Sequence, residues 1–263
     1  VFVLKLFNLA LNCIYAFFKL LKSQKKVVMI SRQSNSVNDD FKLLGEALEK
    51  KGVKVVYLCR TLDGGVNSTI LTKVSYGFHL FTQMYHLATS RVCVLDSYCL
   101  TASLLNHKKS LKIVQLWHTV GKMKQFGWQI IDKGEGSSSL IANAMKMHAN
   151  YDVVYYASEN YKQVLVEGFN TPAEKFRKLT LPRIDLLNDE AYIAKTRKAI
   201  FEKYPVLKEK ENVIYAPTFR KNESEFNENF NNLLNAFNFE KYNLIVNFHT
   251  LTKVNVTNSR VIV

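Results

Sequence analysis

Residues 26–59 read KVVMISRQSNSVNDDFKLLGEALEKKGVKVVYLC. Lys26–Ser31 is a short apolar run, the pattern of a buried strand. In Asp39–Lys51, Phe41, Leu44 and Leu48 recur at spacings of three and four, which predicts a helix. Gly52 ends it, and Val53–Cys59 is the next strand. The same alternation continues outward. Residues 67–89, 137–148 and Glu159–Gly168 are helical. Arg91–Asp96, Lys112–Trp117 and Asp152–Ala157 are strands. Short β-branched strands alternating with helices predict a doubly wound parallel sheet. After a charged helical stretch over 187–211, running through Pro205, a second series begins with Asn212–Ala216, a helix over 226–237, Tyr242–Phe248 and the closing strand. The expected architecture is α/β and GT-B-like: an N-terminal amphipathic helix (1–25), a Rossmann-like domain (26–185), and an incomplete second Rossmann-like domain (186–263). Ligands in such sheets sit outside the carboxyl ends of the strands.

The 263 residues are 48% apolar and 22% charged, which excludes a disordered or low-complexity chain. Four scattered cysteines without a CxxC give neither a disulfide framework nor a zinc ribbon, and suit a reducing compartment. Val1 is not a methionine, the last residues read as a strand in mid-course, and all ten glycines precede residue 169. Both ends are therefore expected to be cut.

The net charge of +14 is unevenly placed. Residues 1–38 and 97–131 hold no acid, and the second stretch carries Lys108, Lys109, Lys112, Lys122 and Lys124. Such a chain wants an anionic partner: nucleic acid, anionic lipid or a phosphate-rich substrate. Nucleic acid ranks last, because no helix-turn-helix, RNP or zinc-finger signature occurs and lysine greatly outnumbers arginine. In the opening segment, Lys5, Asn8, Asn12, Tyr15, Lys19 and Lys22 share one helical stripe, with Phe2, Leu6, Leu9, Cys13, Phe17 and Leu20 opposite. The expectation is a helix lying in the membrane interface on its apolar side. A helix packed on the protein's own surface is the alternative. Asn8 and Asn12 interrupt a span.

No P-loop, dinucleotide fingerprint, HExxH, GxSxG or DxD is present. Nothing in the motifs therefore calls for a metal or cofactor, and none is expected. What the strand ends offer is different. Leu116-Trp117-His118-Thr119 puts an imidazole at the end of the fourth strand, where it can take a proton from a hydroxyl or merely bond within its loop. Lys122 and Lys124 bring charge beside it. Tyr215-Ala216-Pro217-Thr218-Phe219-Arg220 ends a strand with a hydroxyl and a planar cationic fork. Arg220 suits phosphate oxygens, or is a solvated arginine after a turn. Val246-Asn247-Phe248-His249-Thr250 places a second histidine on the same kind of edge. Leu181-Pro182-Arg183-Ile184-Asp185 adds Arg183 near the domain junction. His79, His86 and His148 fall in helical runs and His107 in a lysine-rich loop, so all four read as structural.

Together, SRQSNSVNDDF (31–41), VLDSYC (94–99), QLWHTVGKMKQFG (115–127), AMKMHANYD (144–152), LPRID (181–185) and YAPTFR (215–220) resemble the CDP-glycerol glycerophosphotransferases, the teichoic-acid glycerol- and ribitol-phosphate transferases of bacteria. The resemblance covers nearly the whole chain from residue 26. It implies a GT-B-fold transferase, peripheral on the cytoplasmic face of the membrane. Such an enzyme moves glycerol phosphate from CDP-glycerol to the hydroxyl end of a lipid-linked acceptor and releases CMP. His118 then matches the general base, Arg220 the arginine of the APTFR stretch, and His249 the histidine that stabilises the donor phosphates. Thr218, Lys122, Lys124 and Arg183 join them as phosphate binders. Thr119 stands where the family has glycine or alanine, and Thr250 where it has proline. The family's later Asp-Ser-Ser stretch is expected beyond Val263. Ribitol phosphate or a nucleotide sugar in the same frame, or a non-catalytic membrane-bound fragment, are the alternatives.

Overall fold

β1 (Lys26–Ser31) is buried along its whole length. It sends Val28 and Ile30 into one core and Val27 and Met29 into another. Burial on both faces is why this strand is a continuous apolar run rather than an alternating one. In the computed structural model, described for residues 2–62, 69–121, 124–134, 136–218, 222–249, 252, 254 and 256–263, the chain divides into two units, residues 1–185 and 186–263.

The first unit holds β1, β2 (Lys54–Cys59), β3 (Val92–Leu95), β4 (Lys112–Gln115), β5 (Val153–Tyr156) and β6 (Phe176–Lys178). They form one sheet in the order β2-β1-β3-β4-β5-β6, parallel throughout. The sheet grows one way from β1 to β2 and the other way from β3 onward. The switch point therefore lies between β1 and β3, where doubly wound sheets bind ligands. α2 (Asp39–Glu49) starts at Asn38, whose side chain accepts the Phe41 N–H, with Asp39 and Asp40 against the positive end of the helix. α3 (Ile70–Thr89), α4 (Leu100–Leu104), α5 (Ser139–Ala144) and α6 (Glu159–Phe169) complete the unit with α1 (Phe2–Phe18).

α1 differs from a free interfacial segment in its orientation. Its Leu11 and Tyr15 belong to the core of the first unit. The middle of the polar stripe, Asn8 to Lys19, faces the protein. Asn12 donates to the Leu104 carbonyl and accepts the Asn106 N–H, and Lys19 donates to the Asn106 carbonyl. Tyr15 reaches His107 Nδ1 at 2.9 Å, while His107 Nε2 donates to the Ala102 carbonyl. Leu9 and Phe17 on the other side are 62% and 73% exposed. Polar groups turn inward here because backbone groups at the end of α4 lack partners that the helix itself can supply. Among the described residues, no helix is long and apolar enough to cross a membrane.

Three expectations need correction. β6 was not anticipated; it is three residues long, with only Phe176 buried. The helix expected over 137–148 ends at Ala144, and the chain leaves it through Lys146, His148 and Asn150 at positive φ. The helix expected to run through Pro205 is α7 (Glu190–Lys203), which stops first. Proline has no N–H to continue the ladder, and it opens a short 3-10 turn over Pro205–Lys208 instead.

The second unit contains α7, β7 (Glu211–Tyr215), α8 (Glu223–Ala236), β8 (Tyr242–Val246) and β9 (Val261–Ile262). Its parallel sheet runs β7-β8-β9. Phe226 and Phe230 of α8 pack with Phe239, Leu244 and Val246 as its core.

Candidate functional site

β4 ends at Gln115, whose side chain is fully buried. Its Nε2 donates to the Ser97 carbonyl (3.1 Å) and to the Tyr151 hydroxyl (3.0 Å), and its Oε1 accepts the Trp117 N–H (2.9 Å). That last bond holds Trp117 at φ 63°, a left-handed conformation that an aromatic residue adopts only when its surroundings impose it. The cost is on the order of 1–3 kcal/mol. The resulting elbow turns His118 back across the strand ends.

His118 is half-buried, and its Nδ1 lies 2.8 Å from the Asp96 carbonyl oxygen at the end of β3. A carbonyl only accepts, so Nδ1 carries the proton and Nε2 keeps its lone pair. This is the tautomer that a general base needs. The Gln33 amide, in the loop after β1, lies 3.5 Å from the same ring. The imidazole therefore stands over the switch point between β1 and β3. Behind it, the Asp96 carboxyl group is buried, and burial raises its pKa, opposed by the Ser31 and Ser97 hydroxyls and by His118. Asn38 donates to Asp96 Oδ2 at 2.8 Å.

Arg183, expected as a phosphate binder, is anchored within the first unit. Its Nη2 pairs with Asp40 Oδ2 (2.8 Å) and donates to the His118 carbonyl (3.0 Å), while its N–H bonds Asp40 Oδ1 (2.9 Å). Asp40 is almost wholly buried, and this carboxylate draws the guanidinium inward. Through Nη2, Arg183 straps the His118 backbone to Asp40, while its Nε is buried without a hydrogen-bond partner. Lys124 is exposed on the loop beyond His118. Lys122 and Arg220 lie outside the described residues. In the second unit, Thr218 follows β7 and His249 follows β8. These strands are neighbours, and the Asn247 N–H bonds the Tyr215 carbonyl between them. Thr218 lines a cavity with Tyr215, Pro217, Asn222 and Glu225, at the start of α8.

Sequence reasoning missed Gln115, Asp96 and Asp40. Each is a buried polar side chain, and Asp96 and Gln115 stand at the ends of apolar strands, a signal that could have singled those two out. It also misplaced His148. This residue sits at φ 60° beneath the site, with ring centroids 4.8 Å from Phe169 and 6.0 Å from Trp117. Its Nδ1 lies 2.8 Å from the Tyr151 hydroxyl. Tyr151 accepts from Gln115, so it donates to His148. Burial pushes the His148 pKa down from 6.5 to about 4, and burial first, then Lys19, pushes His107 to about the same value. Both histidines are neutral in the fold and would be protonated sooner if unfolded. Their contribution to stability is therefore complete above about pH 6.5 and is lost as pH falls toward 4. Thermal melts stepped from pH 7 to pH 4 should show the midpoint falling within that window. A constant midpoint there contradicts neutral burial. Among the described residues, no group of three or more His, Cys, Asp or Glu could hold a metal ion.

Residues 13–261 match the family model described as CDP-Glycerol:Poly(glycerophosphate) glycerophosphotransferase. The chain is 32% identical over 196 residues to the teichoic acid ribitol-phosphate primase of Bacillus spizizenii, covering 74% of this chain and 49% of that protein. It is 29% identical over 142 residues to the teichoic acid glycerol-phosphate primase of Bacillus subtilis, covering 54% of this chain and 36% of that one. The chain thus spans between a third and a half of these curated relatives. A solved structure of the wall teichoic acid polymerase TagF superposes with a TM-score of 0.68 at 16% identity, covering 98% of this chain and 67% of that one, and shares the α/β fold. With nearly its whole length matched, the chain belongs to the CDP-glycerol:poly(glycerophosphate) glycerophosphotransferase family.

Proposed function

We propose that the protein transfers glycerol phosphate from CDP-glycerol to the hydroxyl end of a lipid-linked teichoic-acid-type acceptor, releasing CMP. The observation that carries this reading is the His118 tautomer, fixed by the Asp96 carbonyl at the switch point of a family member's sheet. Attack of an alcohol on a diphosphate needs a base, cations for the spreading phosphate charge, and alignment. His118 Nε2 accepts the acceptor hydroxyl's proton as its oxygen attacks the β-phosphorus of CDP-glycerol. The bond to the bridging oxygen breaks and CMP leaves. Thr218, Arg220 and His249 hold the donor phosphates, with Lys122 and Lys124 adding charge near the base. Gln115 and Arg183 Nη2 position His118, and Arg183 keeps its place among the phosphate binders. The Rossmann-like units, 26–185 and 186–263, are the two halves of a GT-B arrangement.

The test is CMP release from a panel of CDP-glycerol, CDP-ribitol and nucleotide sugars, with a lipid-linked acceptor. Release from CDP-glycerol is the expected result, and turnover of none of the donors sinks the proposal. One observation favours a second reading: a relative at 32% identity is a ribitol-phosphate primase. Preference for CDP-ribitol in the same panel would select it.

The enzyme works on the cytoplasmic face of the membrane, bound peripherally to anionic lipid. Support comes from α1 and α3, which pack together, with Phe18 and Tyr85 rings 6.3 Å apart. Leu6, Leu9 and Phe17 of α1 and Ile70, Leu71 and Phe78 of α3 are all exposed. Exposed apolar side chains on adjoining helices mark an interaction surface. Removing α1 would cost Leu11 and Tyr15 from the core, so point substitutions are the sound test. Phe17→Asp and Phe78→Asp should each lower co-sedimentation with phosphatidylglycerol vesicles by about tenfold or more, the equivalent of losing one buried aromatic side chain. Undiminished binding of the double variant would remove the membrane assignment.

A further inference from the structure

The loop after β1 begins with Arg32. Its Nη1 donates to the Tyr98 carbonyl (3.3 Å), and its guanidinium lies 6.0 Å from the Tyr98 ring centroid. Its Nε is buried with no hydrogen-bond partner. Arg60, just past β2, donates to the Ser75 carbonyl (3.3 Å) and hydroxyl (2.7 Å). Tyr76 of α3 hydrogen-bonds the Arg32 side chain and lies within electrostatic reach of Arg60. One turn on, His79 faces Arg60, with its ring 5.6 Å from that of Tyr76 and its Nε2 buried and unpartnered. Neither arginine forms an ion pair among the described residues. Two half-buried guanidinium groups beside an imidazole, with a guanidinium nitrogen and a ring nitrogen buried without hydrogen-bond partners, suit an anion. Phosphate groups suit such forks, because several oxygens can be bridged at once.

α3 also decides what kind of phosphate. At 100° per residue, Tyr76 and His79 point to one side of the helix, and Ile70, Leu71, Val74, Phe78 and Phe81 to the other. That second group is exposed. One helix thus offers apolar side chains outward and the cationic cluster inward. The cluster also borders the base. Gln33, next to Arg32, lies 3.5 Å from His118 Nδ1, and the Arg32 N–H points to Ser97 Oγ at 3.4 Å.

We infer that Arg32, Arg60, Tyr76 and His79 bind a phosphate or diphosphate group of a membrane-anchored acceptor, holding its anchored end beneath α3 and leaving its alcohol end to His118. The inference rests on the acceptor reading above and adds the site. Inorganic pyrophosphate is the soluble probe. In histidine ¹⁵N spectra of the intact chain, its addition should shift the His79 signal and leave His107 and His148 unmoved. An unmoved His79 overturns the inference without any variant. Arg32→Gln combined with Arg60→Gln, with its fold checked by circular dichroism, should weaken pyrophosphate binding by about tenfold or more per arginine. Unchanged affinity overturns it too. Neutral phosphatidylcholine vesicles carrying a polyprenyl diphosphate should bind the wild type more tightly than vesicles of equal charge made with phosphatidylglycerol, and the double variant should lose that preference. Equal binding to both vesicles means surface charge alone. Pyrophosphate binding without vesicle preference means a free-phosphate site. Either outcome overturns the anchored-acceptor assignment. His118→Ala should retain pyrophosphate binding whatever its turnover, so failure of the base and failure of this site are separable.

Discussion

His118→Ala should reduce CMP release from CDP-glycerol by about 10²- to 10⁴-fold, the usual contribution of a general base. The fold should survive. The ring is half-buried, and it makes one bond to the Asp96 carbonyl and a long approach to Gln33. A carbonyl near a crevice can turn to water when the imidazole goes. The loss should appear in kcat, because the base acts on the hydroxyl only as it attacks. His118→Asn tests the mechanism differently. An amide can still donate to the Asp96 carbonyl, but it cannot take a proton at neutral pH. If that variant kept near-full turnover, the base would have to be another group.

Phe169→Ala should destabilise the first unit by about 3–5 kcal/mol, the usual cost of emptying a buried phenyl site. Phe169 ends α6 and is fully buried. Its ring centroid lies 5.0 Å from Trp117, 5.0 Å from Phe126, 4.8 Å from His148 and 5.7 Å from Tyr151. All four of these meetings are edge-to-face, the favoured aromatic geometry. The loss is a large share of the 5–15 kcal/mol, roughly, that stabilises a typical domain. Urea unfolding followed by tryptophan fluorescence measures it, because both tryptophans, Trp117 and Trp128, lie in the first unit. Activity should fall as well, since Phe169 supports the left-handed Trp117 that aims His118. Equal midpoints for wild type and variant would mean that the aromatic cluster holds nothing in place.

The strand ends were legible from the sequence. His118, Thr218 and His249 each follow an apolar β-branched run, and a run of that kind ends where its hydrophobic pattern stops. The partner of Arg183 and the backbone conformation of His148 were not. Arg183 is committed by Asp40, 143 positions away in sequence. His148 looked helical because AMKMHAN has no breaker, yet the chain must bend there to bury the imidazole beneath Trp117. Neither partner lies within reach of a sequence window. The same limit applies to β6, whose three residues pair with β5 through a register that no local pattern encodes.

Periodicity is a local property, and it sufficed for the alternation of strands and helices, the parallel sheet, the helix over Phe2–Phe18 and the strand-end placement of the histidines. Orientation is not local. The stripe of Asn12, Tyr15 and Lys19 identified α1 as two-sided, but only packing against the end of α4 turned its polar side inward and left Leu9 and Phe17 outside. Likewise, a histidine after a tryptophan is one residue in a string until the Asp96 carbonyl, on another strand, fixes which nitrogen holds the proton. A hydrogen bond between strands is set by the sheet's order and register, and those emerge only when the whole chain has found its partners.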